Sequence, residues 1–299
     1  MSNWSLNEVP SQSGKVAIVT GANSGIGYEV TLELIQKEFE VVMACRNMQK
    51  AEEAKAKILK LYPKAKINLM KVDTSSLDRV KKFADQFQAQ YQHLHLLINN
   101  AGIMVSPYKV SEDGFENQFA TNYIGHFALT GLLLPNLTST AGSRIISLSS
   151  LSYKWSEILF DDFHFKKGYS KTKAYGQSKR ACLMFAFEFQ RRLAAAGYDT
   201  LSIAAHPGLS KTNLDQYYPA LIRPLGNLFL QPAAKGALPI LFASLDKDLK
   251  GGEFIGPDGF QQMRGYPTKV EADEYSNNKE VAKRLWTESE KMTKVFYLS

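Results

Sequence analysis

The stretch Thr20-Gly21-Ala22-Asn23-Ser24-Gly25-Ile26-Gly27 follows the apolar run Val16–Thr20 and opens the amphipathic pattern Ile26–Lys37. A short β-branched run reads as a strand, and the 3.6-residue period behind it reads as a helix. Glycines are needed between the two because the chain must turn sharply and its backbone must approach a bulky anion closely. The first-turn amides of the helix and its positive dipole end then face that anion. The spacing is Gly-x-x-x-Gly-x-Gly rather than Gly-x-Gly-x-x-Gly. Its place between strand and helix therefore carries the reading of Gly21, Asn23, Ser24, Gly25, Ile26 and Gly27 as a pyrophosphate cradle.

The same alternation runs on from there. Further strand-like runs lie at 41–44, 67–72, 94–99, 144–149, 201–205 and 253–255. The amphipathic stretches 51–61, 77–91, 115–137, 175–196 and 233–245 separate them. Strands that alternate with helices pair in parallel through right-handed crossovers. The runs at 94–99 and 144–149 are continuously apolar, as strands buried on both faces should be. The expected fold is α/β: a single Rossmann-type doubly wound parallel sheet of about seven strands with helices on both faces. No linker or repeat divides it, so one domain is expected over 1–299. Residues 1–14 form an N-terminal extension, 209–231 a lid over the substrate and 265–299 a C-terminal helical tail.

The chain has 299 residues, 44% hydrophobic and 22% charged, which is enough for a sizeable core. No apolar run reaches the roughly 20 residues that span a bilayer. The polar start, Met1 to Gly14, does not read as a secretory signal. Two cysteines, Cys45 and Cys182, form no disulfide framework and fit a reducing, cytoplasmic setting. The net charge of +7 comes from lysines interleaved with glutamates on amphipathic stretches. These are solvated helix faces, and no nucleic-acid-reading motif accompanies them. Five scattered histidines without paired spacing suggest no metal, and His126 and His206 read as packing or turn residues.

Cofactor selectivity is expected at the end of the second strand, Met43-Ala44-Cys45-Arg46-Asn47. A carboxylate there would bind a ribose 2′-hydroxyl, whereas an arginine suits a 2′-phosphate. Arg46 without a carboxylate favours NADP(H) over NAD(H). The chemical end is Ala174-Tyr175-Gly176-Gln177-Ser178-Lys179, where Tyr175 and Lys179 are four apart and share a helix face. Reducing a carbonyl by hydride transfer requires a proton donor at the oxygen. A free tyrosine, with a pKa of about 10, exchanges that proton poorly near neutrality. An ammonium one turn away stabilises the phenolate and lowers that pKa.

In order along the chain, Thr20–Gly27, Asp73, Asn99-Asn100-Ala101-Gly102, Asn122, Ser150, Tyr175, Lys179 and Pro207-Gly208 resemble the short-chain dehydrogenase/reductase superfamily. The cradle, Ala44–Asn47 and the long interval from Ser150 to Tyr175 resemble its retinol-dehydrogenase-like branch. The resemblance implies that Tyr175 is the acid/base and that Lys179 binds the nicotinamide ribose and tunes Tyr175. Ser150 (with Ser149 as the alternative) would hold the substrate oxygen, and Asn122 would anchor a water linking Lys179 to solvent. Asp73 with Thr74 would contact the adenine and Asn99 the adenine ribose region. Ala101, Gly102, Pro207 and Gly208 would line the cofactor, and Thr212 would hold the carboxamide. Ser147 replaces the family's usual Asn, a change expected to be structural.

Ile103, Met104, Tyr153, Trp155 and Tyr217 form an apolar set expected to wall the substrate. A bulky apolar ketone, aldehyde or alcohol is therefore expected, with Leu209–Gln231 as a mobile lid; membrane contact through the lid is not favoured. The apolar outer faces of 115–137 and 175–196, with Phe185 and Phe189, offer a homodimer contact, although a monomer is equally compatible. Two other functions are compatible with such a fold. One is a non-catalytic NADP(H)-binding regulatory protein of the same fold, which would be expected to have lost Tyr175, Lys179 or Ser150. The other is sugar-nucleotide epimerase or dehydratase chemistry, which the modest tail disfavours.

Overall fold

The computed structural model describes residues 4–210 and 230–298. Most of the expected lid lies outside them, including Thr212 and Tyr217. Among the described residues, eight strands form one sheet: β1 (Val16–Thr20), β2 (Glu40–Cys45), β3 (Ile67–Lys71), β4 (Leu96–Asn99), β5 (Arg144–Leu148), β6 (Leu201–Ala205), β7 (Phe254–Pro257) and β8 (Pro267–Val270). Their order is β3-β2-β1-β4-β5-β6-β7-β8. All neighbours are parallel except β7 and β8. The strand order reverses between β1 and β4, which opens a crevice at their carboxyl ends. The sheet has one strand more than expected. That strand, β8, is short and begins with a proline, which an edge strand tolerates.

Among the described residues, seven longer helices cover the two faces: α1 (Gly25–Gln36), α2 (Met48–Leu61), α3 (Leu77–Gln88), α4 (Gly125–Leu132), α5 (Lys171–Ala195), α6 (Ala233–Leu245) and α7 (Lys279–Thr293). One apolar layer joins the sheet to α1, α2 and α6, and the other joins it to α3, α4, α5 and α7. The N-terminal extension is docked rather than free. Trp4 packs edge-on against Phe242 at 5.4 Å, and the Val9 carbonyl accepts from Lys37.

Two helices differ from expectation, and both differences shape the site. The pattern 115–137 is not one helix. A short turn at Asn117–Phe119 leads into a π-turn at Ala120–Ile124, then α4, then a further turn at Leu134–Thr138. A π-turn inserts an extra residue and is common at functional sites. Here it carries Asn122. Gly125 permits the close approach that follows, because a Cβ on it would lie 1.9 Å from the Thr74 carbonyl oxygen. Helix α5 begins a turn earlier than Tyr175, where the Ser170 hydroxyl accepts the Lys173 amide.

The expected apolar outer face of α5 is not open to a subunit contact. Helix α7 lies across it and seats Trp286 against Phe127 (5.1 Å), Phe185 (5.8 Å) and Phe189 (5.8 Å) between ring centroids. The Arg192 guanidinium lies over the indole at 4.5 Å. Trp286 is fully buried, and its Nε1 has no hydrogen-bond partner among the described residues. The indole thus contributes by packing alone. Trp286→Ala is expected to lower the unfolding free energy by about 3–5 kcal/mol, and Trp286→Phe by clearly less, since no polar contact is lost. Urea denaturation of the two variants measures this, and equal losses would contradict the packing account.

Candidate active site

The glycine turn is built by close approach. Gly21 has φ +68°, in the left-handed region that glycine adopts without strain. A Cβ on Gly27 would lie 2.5 Å from both the Asn100 side-chain nitrogen and the Gly21 carbonyl oxygen. The Asn100 amide donates to the Thr20 carbonyl at 2.6 Å, and the Thr20 hydroxyl accepts the backbone amides of Asn100 and Ala101, each at 2.9 Å. The ends of β1 and β4 are thereby locked together. Ser24 begins α1 with no side-chain capping bond, so the first-turn amides of α1 are left to an outside acceptor. A cradle without Cβ atoms and an uncapped helix start fit a dinucleotide pyrophosphate.

Beyond β2, Arg46 is exposed, and Asn47 caps α2 by accepting the Lys50 amide. Burial pushes the Cys45 thiol up to about 11, opposed by hydrogen bonds from the Ala22 and Asn23 amides, so this sulfur lies against the turn. After β3, Asp73 is buried; one carboxylate oxygen accepts from Ser75, and the other pairs with Arg79 at 3.3 Å. Thr74 lies under Gly125. The Asn99 side chain turns the other way and donates to Thr130 on α4 at 3.0 Å. Its side-chain oxygen is buried with no hydrogen-bond partner among the described residues. Ser147, its register partner on β5, is also buried.

On α5, Tyr175 and Lys179 are both buried, with the ammonium 5.9 Å from the phenol ring centroid. Lys179 Nζ donates to the Leu148 carbonyl at the end of β5, at 3.0 Å. Burial lowers its pKa below the usual lysine value, and the nearby Cys182 thiol partly opposes that shift. Ser149 is committed to structure, its hydroxyl donating to the Lys179 carbonyl at 2.8 Å. Ser150 instead caps the turn Leu151–Trp155 from a half-buried position just past the end of β5, its hydroxyl 3.2 Å from both the Ser152 amide and the Ser152 hydroxyl.

Asn122 is held at every polar atom. Its side chain accepts the Ile103 amide at 2.8 Å and donates to the Ile103 carbonyl and to Ser178, both at 2.9 Å. Its backbone carbonyl accepts from His126 Nδ1 at 3.0 Å and from the Cys182 thiol at 3.1 Å. A water anchored there would have to share that carbonyl with two protein donors. A Cβ on Gly102 would lie 3.1 Å from Asn122 Oδ1 and 3.6 Å from Lys179 Nζ, so these three residues converge.

The substrate side departs most from expectation. Tyr153 is not at the site; it is buried against Phe254 at 5.9 Å. The turn Leu151–Trp155 folds back on α5, with Ser152 and Tyr153 buried and Lys154 and Trp155 exposed. Trp155 stays 46% exposed, its ring 6.2 Å from that of Tyr175. Ile103 and Met104 are half-buried beside Asn122. A cleft of about 660 Å³, lined by Val105, Pro107, Tyr108 and Tyr169 with Ser170–Thr172, opens next to them. The sequence reading missed this cleft because its walls come from two loops brought together only by folding. Pro207 and Gly208 follow β6, and the Pro207 carbonyl accepts from Ser210 and Gln231, which closes the two described ends of the lid segment on each other.

The family profile described as short chain dehydrogenase matches residues 15–220. The chain belongs to the short-chain dehydrogenase/reductase superfamily. Retinol dehydrogenase 12 of Mus musculus is 36% identical over 278 residues, covering 92% of this chain and 85% of that protein. Short-chain dehydrogenase TIC 32 B, chloroplastic, of Brassica napus is 40% identical over 246 residues, covering 79% and 77%. A solved structure of an uncharacterized protein from Mycobacterium Paratuberculosis is 35% identical, with a TM-score of 0.83 over 98% of both chains. These relatives place the chain in the retinol-dehydrogenase-like branch of a superfamily of nicotinamide-dependent oxidoreductases.

Among the described residues, no helix is long and apolar enough to cross a membrane, and no group of three or more His, Cys, Asp or Glu side chains could hold a metal ion. Burial pushes His126 and His206 each down to about 4, against about 6.5 when unfolded. Between those values the unfolded chain binds more protons than the folded one, so stability falls as the pH is lowered. Folding stability is expected to hold above about pH 7 and to drop by on the order of 1–3 kcal/mol on going to pH 5. Urea midpoints across that range test this, and His206→Gln should flatten part of the slope. A slope unchanged by that substitution would contradict the assignment to His206.

Proposed function

We propose that this short-chain dehydrogenase/reductase interconverts a carbonyl, ketone or aldehyde, and the corresponding alcohol with NADP(H), on a bulky apolar substrate, the chain working as one cofactor-binding domain. The observation that carries the reading is the buried Tyr175–Lys179 pair, set between the end of β5 and the crevice at β1 and β4. Bound NADP(H) supplies or accepts the hydride. Tyr175 Oη delivers the proton to the carbonyl oxygen in reduction and takes it back in oxidation. The Lys179 ammonium, fixed by the Leu148 carbonyl, stabilises the phenolate form of Tyr175. The Ser150 hydroxyl donates to the substrate oxygen and orients it. Asn122 holds Ile103 and the start of the substrate wall in place.

Gly21–Gly27 would hold the pyrophosphate, and Arg46 the 2′-phosphate through its guanidinium fork. Asp73 and Thr74 would bound the adenine, and Ala101, Gly102, Pro207, Gly208 and Thr212 the remainder. Ile103, Met104, Trp155 and the Tyr108–Tyr169 cleft would receive an apolar substrate body. The name of the mouse relative, a retinol dehydrogenase, supports alcohol–carbonyl chemistry.

A panel of aryl and long-chain carbonyls and alcohols, assayed with NADPH and with NADH, tests the reading. Tyr175→Phe is expected to lower kcat by about 10²–10⁴-fold with cofactor binding retained, which separates an enzyme from a regulatory cofactor-binding protein. Arg46→Ala is expected to raise the KM for NADPH about tenfold or more and to leave that for NADH nearly unchanged. A Tyr175→Phe protein with most of its activity, or a preference for small acidic ketones, would overturn the proposal.

A further inference from the structure

His126 lies on α4 at 4% exposure, between two groups that the proposed chemistry uses and that no strand or helix ladder joins. On one side, its Nδ1 lies 3.0 Å from the Asn122 carbonyl in the π-turn. On the other, its Nε2 lies 2.9 Å from the Thr20 hydroxyl at the glycine turn. A carbonyl can only accept, so Nδ1 carries the proton. Nε2 is then an acceptor, and Thr20 is its donor. The Thr20 oxygen already accepts the amides of Asn100 and Ala101. Its single proton has two acceptors in reach, the imidazole at 2.9 Å and the Ile98 carbonyl at 3.2 Å; the shorter contact is to the imidazole, and the Ile98 carbonyl already accepts the Asn100 amide at 3.0 Å. The ring is a rigid link between the β1–β4 cofactor edge and the turn that fixes Asn122, Ile103 and Ser178.

We infer that His126 is a positioning residue that couples the cofactor edge at Thr20, Asn100 and Ala101 to the Asn122 turn as a neutral, two-ended hydrogen-bond bridge. Its neutrality follows from its surroundings. Burial pushes its pKa down, the bond to Asn122 opposes that, and the Lys179 charge reinforces it. Cys182, which shares the Asn122 carbonyl, and Lys179 are the titratable groups facing this cluster. A protonated ring would place a second N–H against the already crowded Thr20 hydroxyl and a second cation near Lys179. The bridge therefore works in one protonation state across the physiological range, and it is not itself an acid or base of the reaction.

The inference rests on the reading of the site as an NADP(H) oxidoreductase, and its test separates the two. A side-chain amide presents an N–H donor on one side and a carbonyl acceptor on the other (with one further N–H), so His126→Gln preserves both ends of the bridge and His126→Phe removes both. Hydrogen exchange of the Asn100 and Ala101 amides needs no cofactor. It is expected to speed up about tenfold or more in His126→Phe and to stay within about twofold of wild type in His126→Gln. With NADPH, His126→Phe is expected to raise Kd and lower kcat, each by about tenfold, while the substrate KM stays near wild type. His126→Gln should recover both, with the wild-type pH profile.

Wild-type protein that neither binds NADPH nor reduces carbonyls would fail the functional reading, and the exchange comparison would still judge the bridge. Exchange, Kd and kcat unchanged in His126→Phe would overturn the inference, as would a His126→Gln protein no better than His126→Phe. If His126→Phe does not fold, His126→Ala removes the same bridge without added bulk and leaves the Thr20 hydroxyl under Asn100 and Ala101, and the same changes are expected. Failure of both variants to fold would assign the contact to folding alone and overturn the inference.

Discussion

The absence of a Cβ at Gly27 allows the start of α1, the Gly21 carbonyl and the Asn100 side chain to meet in a space that any other residue would fill. That approach, together with the Thr20 hydroxyl under Asn100 and Ala101, holds the carboxyl ends of β1 and β4 in contact. The candidate site is arranged around this contact. Parallel strands on either side of a reversal in strand order diverge toward opposite faces, so a crevice forms where their connections part. The uncapped first turn of α1 faces that crevice, and the end of β5 lies one strand beyond it. The chain thereby presents a polar, anion-accepting edge within the sheet interior.

The second constraint is a buried cation. Lys179 lies inside the protein with no ion-pair partner among the described residues, and a backbone carbonyl from β5 supplies its hydrogen-bond acceptor. Burying an ammonium is costly unless its donors are met, and desolvation lowers its pKa accordingly. Placed this way, the charge has little to act on except Tyr175, Cys182 and the Asn122 turn. An electrostatic influence that water would dilute is thus kept local. The next residue, Arg180, makes the opposite choice: it pairs in bidentate fashion with Asp273 at 2.7 and 2.9 Å and also donates to Ser156 and Ser276. Adjacent basic residues on one helix thereby have different tasks. Arg180 ties the excursion and the tail to α5, and Lys179 faces the site.

Helix α7 adds a third layer of organisation. Its Trp286 fills the space over Phe127, Phe185 and Phe189 that would otherwise lie open on the outside of α4 and α5. The tail thus stiffens the two helices that carry Lys179 and the Asn122 turn, from the side opposite the sheet. The C-terminal tail is thereby part of what holds the site.

Local sequence alone determined the alternation of strands and helices, the glycine turn, the Tyr175–Lys179 face and the serine pair after β5. Each depends on periodicity or on residues close in the chain, where side-chain direction follows directly from backbone period. Only the tertiary structure decided that Tyr153 is core and Trp155 is not, that Ser149 is structural, and that Asn99 turns onto α4. It also decided that the 115–137 pattern breaks into a π-turn at Asn122. Those outcomes depend on contacts between residues far apart in sequence: Phe254 against Tyr153, the Lys179 carbonyl against Ser149, Thr130 against Asn99 and the Thr74 carbonyl against Gly125. His126 belongs to the same class. A lone histidine on an apolar helix carries no signal of its own, because its two partners, Thr20 and Asn122, sit on different elements and meet only when the sheet is assembled.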